Sequence, residues 1–150
     1  MKAPQFKLSL GVNMIEVKEQ HLTDELKKLI FDGFGRHAKA MTGYDENFDP
    51  VAFVAQDNGC FVGAIVVKVF WGALHIKYVY IDDKYRGKGY GFKLMESALK
   101  YGKDMKCPFA FVETMSFQAL DFYRKAGFEL EYTRPGYNHG ISFHYLRRSI

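Results

Sequence analysis

The sequence predicts an α/β (α+β) sandwich in which helices flank a mixed, mostly antiparallel sheet with one parallel strand pair. Three consecutive strand-like segments between 51 and 81 are separated by short turns at 57–59 and 71–72, and the third segment alternates, which is typical of an antiparallel meander. Apolar residues recur at helical spacing in 22–37 and again after Tyr90. The strand–helix–strand step from 73–81 to 109–115 requires a parallel pair with a right-handed crossover.

The first predicted element is a helix at 22–37, with one apolar face. Thr23 is its candidate N-cap, because a threonine hydroxyl can accept a hydrogen bond from an unpaired amide of the first turn. The segment 41–50 is polar and contains glycine and proline, which indicates a loop or an irregular helix end.

Three strands follow at 51–56, 60–70 and 73–81. Residues 57–59 read Asp-Asn-Gly, a strong hairpin signal because Asn-Gly accommodates positive φ angles. Residues 71–72 read Trp-Gly and predict the second turn of the meander. After the helix that begins near Tyr90 comes the short buried strand at 109–115.

The last predicted elements are one helix and two strands. The helix covers 116–127, with Ser116 as its N-cap and Gly127 as its end. Alternating strands at 128–134 and 141–148 then close the chain as a hairpin. No repeat or linker interrupts the sequence, so a single domain over residues 1–150 is expected.

Composition narrows the function classes. The net charge of +4 is modest and scattered, and no nucleic-acid-binding motif is present, so no nucleic-acid partner is expected. Cys60 and Cys107 lack metal-site spacing, which predicts reduced, buried, inert thiols and no metal. The N-terminus lacks a secretory apolar stretch, and the aliphatic run at 64–67 is too short for a membrane span. A soluble cytoplasmic protein without a membrane partner is expected.

Three glycines stand before the second long helix, where residues 85–95 read YRGKGYGFKLM. A mononucleotide P-loop would need Gly-Lys followed by Ser or Thr at the helix start, which is absent here. A dinucleotide fingerprint would need a third glycine where Phe92 or Leu94 stands. The remaining pattern is R-x-x-G-x-G, formed by Arg86, Gly89 and Gly91 between a strand and a helix.

On this pattern the stretch 74–128 resembles the GNAT superfamily of acetyl-CoA-dependent N-acetyltransferases, whose signature is [QR]-x-x-G-x-[GA]. A second family motif, N-x-x-A-x-x-F-Y-x-x-x-G-F, matches 116–128 at every marked position except the first, where Ser116 replaces asparagine. The resemblance implies a GNAT-like sheet and acetyl-CoA as co-substrate. It also implies transfer of the acetyl group to a primary amine by direct attack in a ternary complex.

A glycine-rich helix start suits the coenzyme pyrophosphate, because bare amides and the positive end of the helix dipole can approach it. Arg86 and Lys88 would supply charge around it. The pantetheine arm is expected to pair with the backbone edge of 79–81, as in the family. The predicted cofactor-binding residues are Val79, Tyr80, Ile81, Arg86, Gly87, Lys88, Gly89, Tyr90, Gly91, Phe92 and Ser116.

The resemblance also implies catalytic roles. Tyr123 occupies the position that in the family acts as general acid toward the coenzyme sulfur, and the oxyanion would lie at a main-chain N–H near Val79. His75 stands eleven positions before Arg86, where many members carry a glutamate base. Glu113, in an otherwise apolar strand, is the rival base, and a base derived from solvent stays open.

A small-molecule amine is the predicted acceptor, and a protein amine is the alternative. A non-catalytic acyl-CoA-binding regulatory module is the second alternative, since Ser116 and His75 depart from the family pattern. Tyr137, His139 and His144 are placed by the sequence either on the acceptor side or on the surface. A homodimer is also left open.

Overall fold

The computed structural model describes residues 7–10, 13–46 and 48–150, and the chain divides into two compact units, Met1–Asp45 and Glu46–Ile150. The first unit contains strands β1 (Lys7–Leu10) and β2 (Asn13–Glu16), which pair antiparallel, and helix α1 (Asp24–Thr42). The sequence analysis did not predict the β1–β2 pair, because four residues are too few for alternation to stand out.

Helix α1 begins as predicted. The Thr23 hydroxyl accepts a hydrogen bond from the Leu26 N–H at 3.1 Å, which confirms the N-cap. The helix continues beyond its predicted end at residue 37 because good helix formers such as Ala38 follow. It ends where Gly43 adopts a left-handed φ of 82°.

The second unit is a six-stranded sheet in the order β3-β4-β5-β6-β8-β7, with every neighbouring pair antiparallel except β5–β6. This arrangement confirms the predicted fold class, a mixed sheet flanked by helices. Its elements are β3 (Val51–Asp57), β4 (Cys60–Phe70), β5 (Ala73–Ile81), α2 (Tyr90–Asp104), β6 (Phe109–Met115), α3 (Leu120–Lys125), β7 (Glu129–Arg134) and β8 (Phe143–Ser149).

The third helix is shorter than the sequence predicted. It begins after Ala119, so the prediction of Ser116 as its N-cap is wrong. The Ser116 hydroxyl instead accepts a hydrogen bond from the Ser142 N–H, and the Gln118 side chain accepts one from the Met115 N–H. These contacts hold the chain in a turn before α3. Gly127, with φ of 87°, follows the helix end as predicted.

The core lies between one face of the sheet and helices α2 and α3. Side chains from four strands and both helices form one buried cluster, which includes Ile65, Val67, Leu74, Ile76, Leu94, Met95, Ala98, Ala110, Val112, Tyr123, Phe128 and Leu146. None of the helices in the described part of the chain is both long and apolar enough to cross a membrane.

Candidate active site

Strands β5 and β6 separate partway along their length. Leu74–Ile76 pairs with Ala110–Val112, and in the described chain the register between these two strands extends no further. The separation begins at a β-bulge, where the register of β5 against β4 shifts and Lys77 becomes an extra residue. Residues 78–81 remain paired with β4 alone, so their other edge borders a cleft.

Backbone amides of β5 point into this cleft. The Asp82 N–H donates to the Val62 carbonyl on β4 at 2.8 Å. Because successive N–H groups along a strand alternate in direction, those of Val79 and Ile81 point to the opposite side. A Cβ at Gly63 would overlap the Tyr80 carbonyl oxygen, so this glycine allows β4 to pack closely behind the exposed edge. The sequence analysis did not single out Gly63, because its role depends on the strand register.

The start of α2 lies beside the same edge. Its N-cap is Gly89, with φ of 83° and no side-chain cap, and Gly87 also has a left-handed φ of 74°. The first intrahelical hydrogen bond runs from the Lys93 N–H to the Gly89 carbonyl at 3.2 Å. Within the described residues, the N–H groups of 87–92 have no protein acceptor. Those of them in the first turn lie at the positive end of the helix dipole.

A groove of about 720 Å³ connects the amides to the strand edge. It contains all the predicted cofactor-binding residues except Lys88 and Ser116. The sequence analysis did not name five further lining residues, although two of them, Ala119 and Phe122, are marked positions of the second family motif. The groove is lined by Val79, Tyr80, Ile81, Tyr85, Arg86, Gly87, Gly89, Tyr90, Gly91, Phe92, Phe117, Gln118, Ala119 and Phe122.

The charged residues of the loop are arranged around its backbone and Tyr85. The Arg86 Nε donates to the Ile81 carbonyl at 3.0 Å, and its guanidinium pairs with Asp83 at 2.9 Å. Arg86 therefore braces the loop against the end of β5. The ammonium groups of Lys84 and Lys88 lie 5.3 and 5.8 Å from the centre of the Tyr85 ring, so they hold positive charge beside the groove.

His75 and Glu113 form a pair where β5 and β6 begin to separate. His75 Nε2 lies 2.7 Å from Glu113 Oε2, and the side chains are 26% and 30% exposed, so both remain accessible to solvent. The His75 ring stacks on Phe111 with centroids 4.5 Å apart and planes within 4°. Two residues that the sequence analysis treated as rivals are thus one hydrogen-bonded unit with a fixed ring plane.

Tyr123 on α3 is buried among Phe122 and Phe128. Burial, together with the negative charge of Glu113, raises the pKa of Tyr123 to about 12, so the phenol stays protonated at neutral pH. In the described part of the chain the Tyr123 hydroxyl has no hydrogen-bond partner. Every side-chain oxygen or nitrogen that is fully buried in this part does have a partner. The hydroxyl therefore keeps access to solvent from a buried ring.

The other predicted site residues take different positions. Ser116 is tied to Ser142 and lies outside the groove lining, so its part in cofactor binding stays a prediction. His144 is buried on the core side, where its Nδ1 lies 2.8 Å from the Thr133 hydroxyl. His139 is exposed in the turn between β7 and β8. Tyr137 is 40% exposed and contacts Phe143.

The chain belongs to the acetyltransferase (GNAT) family, whose sequence profile matches residues 19–128. It is therefore an acyltransferase enzyme, which confirms the family and enzyme class predicted from the two motifs. The match includes the open helix start, the separated strand edge and Tyr123.

Individual relatives agree with this assignment. Blasticidin-S acetyltransferase of Streptomyces morookaense is 31% identical over 99 residues, which are 65% of this chain and 73% of the relative. The fold is similar to that of an acetyltransferase from Bacillus cereus ATCC 14579, with a TM-score of 0.76, 20% identity, and coverage of 89% of this chain and 98% of the other.

A third protein was crystallised in complex with acetyl coenzyme A. It comes from Bacillus anthracis strain Ames and is provisionally called a streptothricin acetyltransferase. Its TM-score to this chain is 0.63, with 21% identity over 99% of this chain and 85% of the other. At these identities the two structural comparisons establish the fold.

Proposed function

We propose that this enzyme transfers the acetyl group of acetyl-CoA to a primary amine of a small molecule, by direct attack in a ternary complex. The carrying observation is the row of six amides at 87–92 that have no acceptor within the described chain. A helix start with left-handed glycines in place of a side-chain cap is unfavourable for stability and suitable for a pyrophosphate.

The rest of the groove fits the remainder of the coenzyme. The unpaired edge of Val79 and Ile81 offers N–H groups to the diamide of the pantetheine arm, in the manner of an added strand. Lys84 and Lys88 place positive charge at the phosphate end, while Arg86 keeps the loop against β5. The bound thioester supplies the activated acetyl group.

His75 is proposed as the base. An ionised Glu113 carboxylate only accepts hydrogen bonds, so it holds the hydrogen of His75 on Nε2 and leaves the Nδ1 lone pair free. That lone pair takes the proton from the acceptor amine, directly or through a water molecule. Stacking on Phe111 fixes the ring plane, and Glu113 acts here as a positioning residue.

Tyr123 is proposed as the acid. Its hydroxyl donates a proton to the departing thiolate as the carbon–sulfur bond breaks, and the N–H of Val79 stabilises the developing oxyanion. The raised pKa keeps Tyr123 in the donating form across the physiological range. Because a phenol with so high a pKa is a weak acid, donation must be concerted with bond cleavage.

The small-molecule acceptor is supported by relatives that are named for low-molecular-weight compounds, blasticidin-S and streptothricin. A protein amine and a non-catalytic acyl-CoA-binding module are the competing predictions. A screen of small amines and unstructured peptides for thiol release from acetyl-CoA separates the three. Turnover only with peptides would favour the protein amine, and coenzyme binding without any turnover would favour the module.

Two variants test the residue roles. Tyr123→Phe should lower kcat about 100-fold and leave the Kd for acetyl-CoA within about twofold, because only proton donation is lost. His75→Gln should lower kcat by a similar factor, and the exposed His21→Gln is its matched control. An unchanged kcat in Tyr123→Phe would remove the proposed acid. An unchanged kcat in His75→Gln would remove the proposed base.

We also propose that residues 1–150 act as one domain in the cytoplasm. The family match crosses the boundary between the two compact units, which supports a single domain. The prediction that both cysteines are buried is wrong for Cys60, which is exposed, and correct for Cys107. Both are free thiols, as suits a reducing compartment. A single calorimetric unfolding transition of the whole chain is expected, and two separate transitions would contradict the single domain.

A further inference from the structure

Four aromatic rings form a continuous surface on β7, β8 and the turn between them, here called the aromatic wall: Tyr132, Tyr137, Phe143 and Tyr145. Adjacent ring centroids lie 5.9 Å apart for Tyr132–Tyr145, 5.5 Å for Phe143–Tyr145 and 5.9 Å for Tyr137–Phe143. The planes are tilted by 38° to 52°. None of these rings belongs to the buried core of the sheet.

The aromatic wall continues the surface that carries the proposed base. Tyr145 lies directly opposite Glu113 in the β6–β8 register and opposite Tyr132 in the β7–β8 register. Residues directly opposite each other in an antiparallel pair share a face, with Cβ atoms about 5 Å apart. A molecule whose amine reaches the His75–Glu113 pair therefore has the wall as its nearest neighbour on this side.

The outer rings are exposed although they are large and apolar. Tyr132 is 55% exposed and Tyr137 is 40% exposed, whereas the catalytic candidate Tyr123 is 5% exposed. A single exposed ring needs no explanation, but a connected group of four beside a proposed reacting centre is a surface built for contact. Aromatic surfaces bind other flat rings by stacking, and they also bind cations.

The position of Arg134 favours a flat ring over a cation as the ligand of the aromatic wall. Its guanidinium lies 5.4 Å from the centre of the Tyr145 ring, so the protein already supplies the cation on that ring. Among the described residues no carboxylate pairs with Arg134, and its charge would repel a second cation. Arg134 shares a side-chain hydrogen bond with Tyr137, and its other N–H groups can donate to oxygen atoms on a bound ring.

We propose that the aromatic wall binds the acceptor through a flat ring, so that the substrate class is a primary amine carried on or next to a neutral, oxygen-bearing ring. Straight-chain amines and polyamines lack the ring and, in the second case, add repelled charge. This inference rests on the proposed function, because it concerns the acceptor of the same reaction.

The test compares kcat/KM for matched amines by thiol release from acetyl-CoA. Tyramine and 2-phenylethylamine should exceed n-hexylamine by about 10-fold, and spermidine should be the poorest substrate. Tyr132→Ala and Tyr137→Ala should reduce the ring amines about 10-fold, to the level of n-hexylamine, without changing the KM for acetyl-CoA. Both positions are exposed, so the variants keep the core intact.

Phe70→Ala is the matched control, because Phe70 is a half-exposed aromatic residue at the end of β4 and outside the wall. It should leave all the ratios unchanged. Equal rates for n-hexylamine and the ring amines, or wall variants that slow both alike, would overturn the ring preference while leaving the proposed function intact. Acetyl-CoA binding without turnover of any amine would instead overturn the proposed function, and this inference with it.

Arg134→Gln gives a second, oppositely directed result. Removing the guanidinium should lower the KM for spermidine by about threefold or more, since one repelling charge is lost near the wall. The same variant should raise the KM for tyramine relative to 2-phenylethylamine, because only tyramine offers an oxygen to the guanidinium. A fall in rate that is equal for all amines would show that Arg134 acts on the fold alone and would contradict its assigned role.

Discussion

Helices α1 and α2 begin in opposite ways. At the start of α1 the Thr23 hydroxyl caps an amide, and Asp24 and Glu25 place negative charge in the first turn. At the start of α2 the N-cap is Gly89, which has no side chain to offer, and the first turn contains no acidic residue. The first helix therefore caps one amide and places negative charge at its own N-terminus, whereas the second helix does neither.

Under the proposed function, this difference means that stability and coenzyme binding make opposite demands on the same kind of backbone groups. A missing side-chain cap does not by itself indicate a binding site, because the N-cap of α3, Ala119, also provides no side-chain hydrogen bond. That helix has only six residues and a small dipole, and Asp121 lies in its first turn. We expect an open start to bind an anion only where a long helix, left-handed glycines and a groove occur together, as they do at α2.

The largest expected effect comes from giving α2 an acidic first turn like that of α1. Tyr90→Asp should raise the Kd for acetyl-CoA about 30-fold. The new carboxylate would compete for the free amides at the helix start and would repel the negatively charged pyrophosphate. Tyr90→Asn is the matched control, since it removes the same ring contact with Tyr85 without adding charge. Titration calorimetry of both variants measures the effect, and equal Kd values for the two would contradict it.

Next in size is a pair of identical substitutions with opposite signs. Gly89→Ala should lower the free energy of unfolding by about 1–2 kcal/mol, because its φ of 83° is unfavourable for an L-residue. Gly33→Ala, inside α1 and with its nearest neighbour at 3.7 Å, should raise it by about 0.5–1 kcal/mol. Urea unfolding of both variants gives the two values. A stabilised Gly89→Ala would mean that the start of α2 is not left-handed.

Removing the cap of α1 has a smaller effect. Thr23→Ala should lower the free energy of unfolding by about 1 kcal/mol, because the Leu26 N–H loses its acceptor. Thr23→Ser retains the hydroxyl and should stay close to the wild type. Affinity for acetyl-CoA should be the same in all three proteins. A weaker affinity in Thr23→Ala alone would contradict the claim that the start of α1 serves stability and not coenzyme binding.

The last expected effect is confined to high pH and concerns α3. The pKa of Tyr123 is raised from about 10 in the unfolded chain to about 12 in the fold, chiefly by burial and then by Glu113. The resulting stabilisation is complete below pH 10 and is lost as the pH rises through 12. Tyr123→Phe should therefore lose less stability than the wild type between these pH values, measured by urea unfolding. Parallel curves would contradict the raised pKa.

The sequence was most informative where the determinants are local. Residues 58–59 turn the first hairpin because Asn and Gly accept positive φ angles, and both do so in the structure. The R-x-x-G-x-G pattern likewise located the start of α2, since Gly89 acts through its own left-handed φ. Gly91 differs, because a Cβ there would lie 2.9 Å from the Phe122 ring, which is a contact with another helix. Thr23 and Gly127 were correct for the same reason.

Contacts that depend on strand register could not be predicted from the sequence. His75 and Glu113 are separated by 38 positions, and only the alignment of β5 with β6 brings them within 2.7 Å. The start of α3 was predicted wrongly because Ser116 has a competing partner, Ser142, that approaches from the distant β8 side. The aromatic wall was likewise invisible, apart from Tyr137, because its members meet across two strands.

The extra residue in β5 has a further consequence. Ahead of Lys77 the side chains of the strand that belong to the core cluster are Leu74 and Ile76, at even positions, whereas beyond it Val79 and Ile81 pack against that cluster, at odd positions. The two halves of the strand thus alternate in opposite phase. The first half pairs with β6, and the second half leaves its edge open to the proposed coenzyme. Deleting that single lysine would rotate every later residue by half a turn and present the wrong set of peptide groups to the cleft.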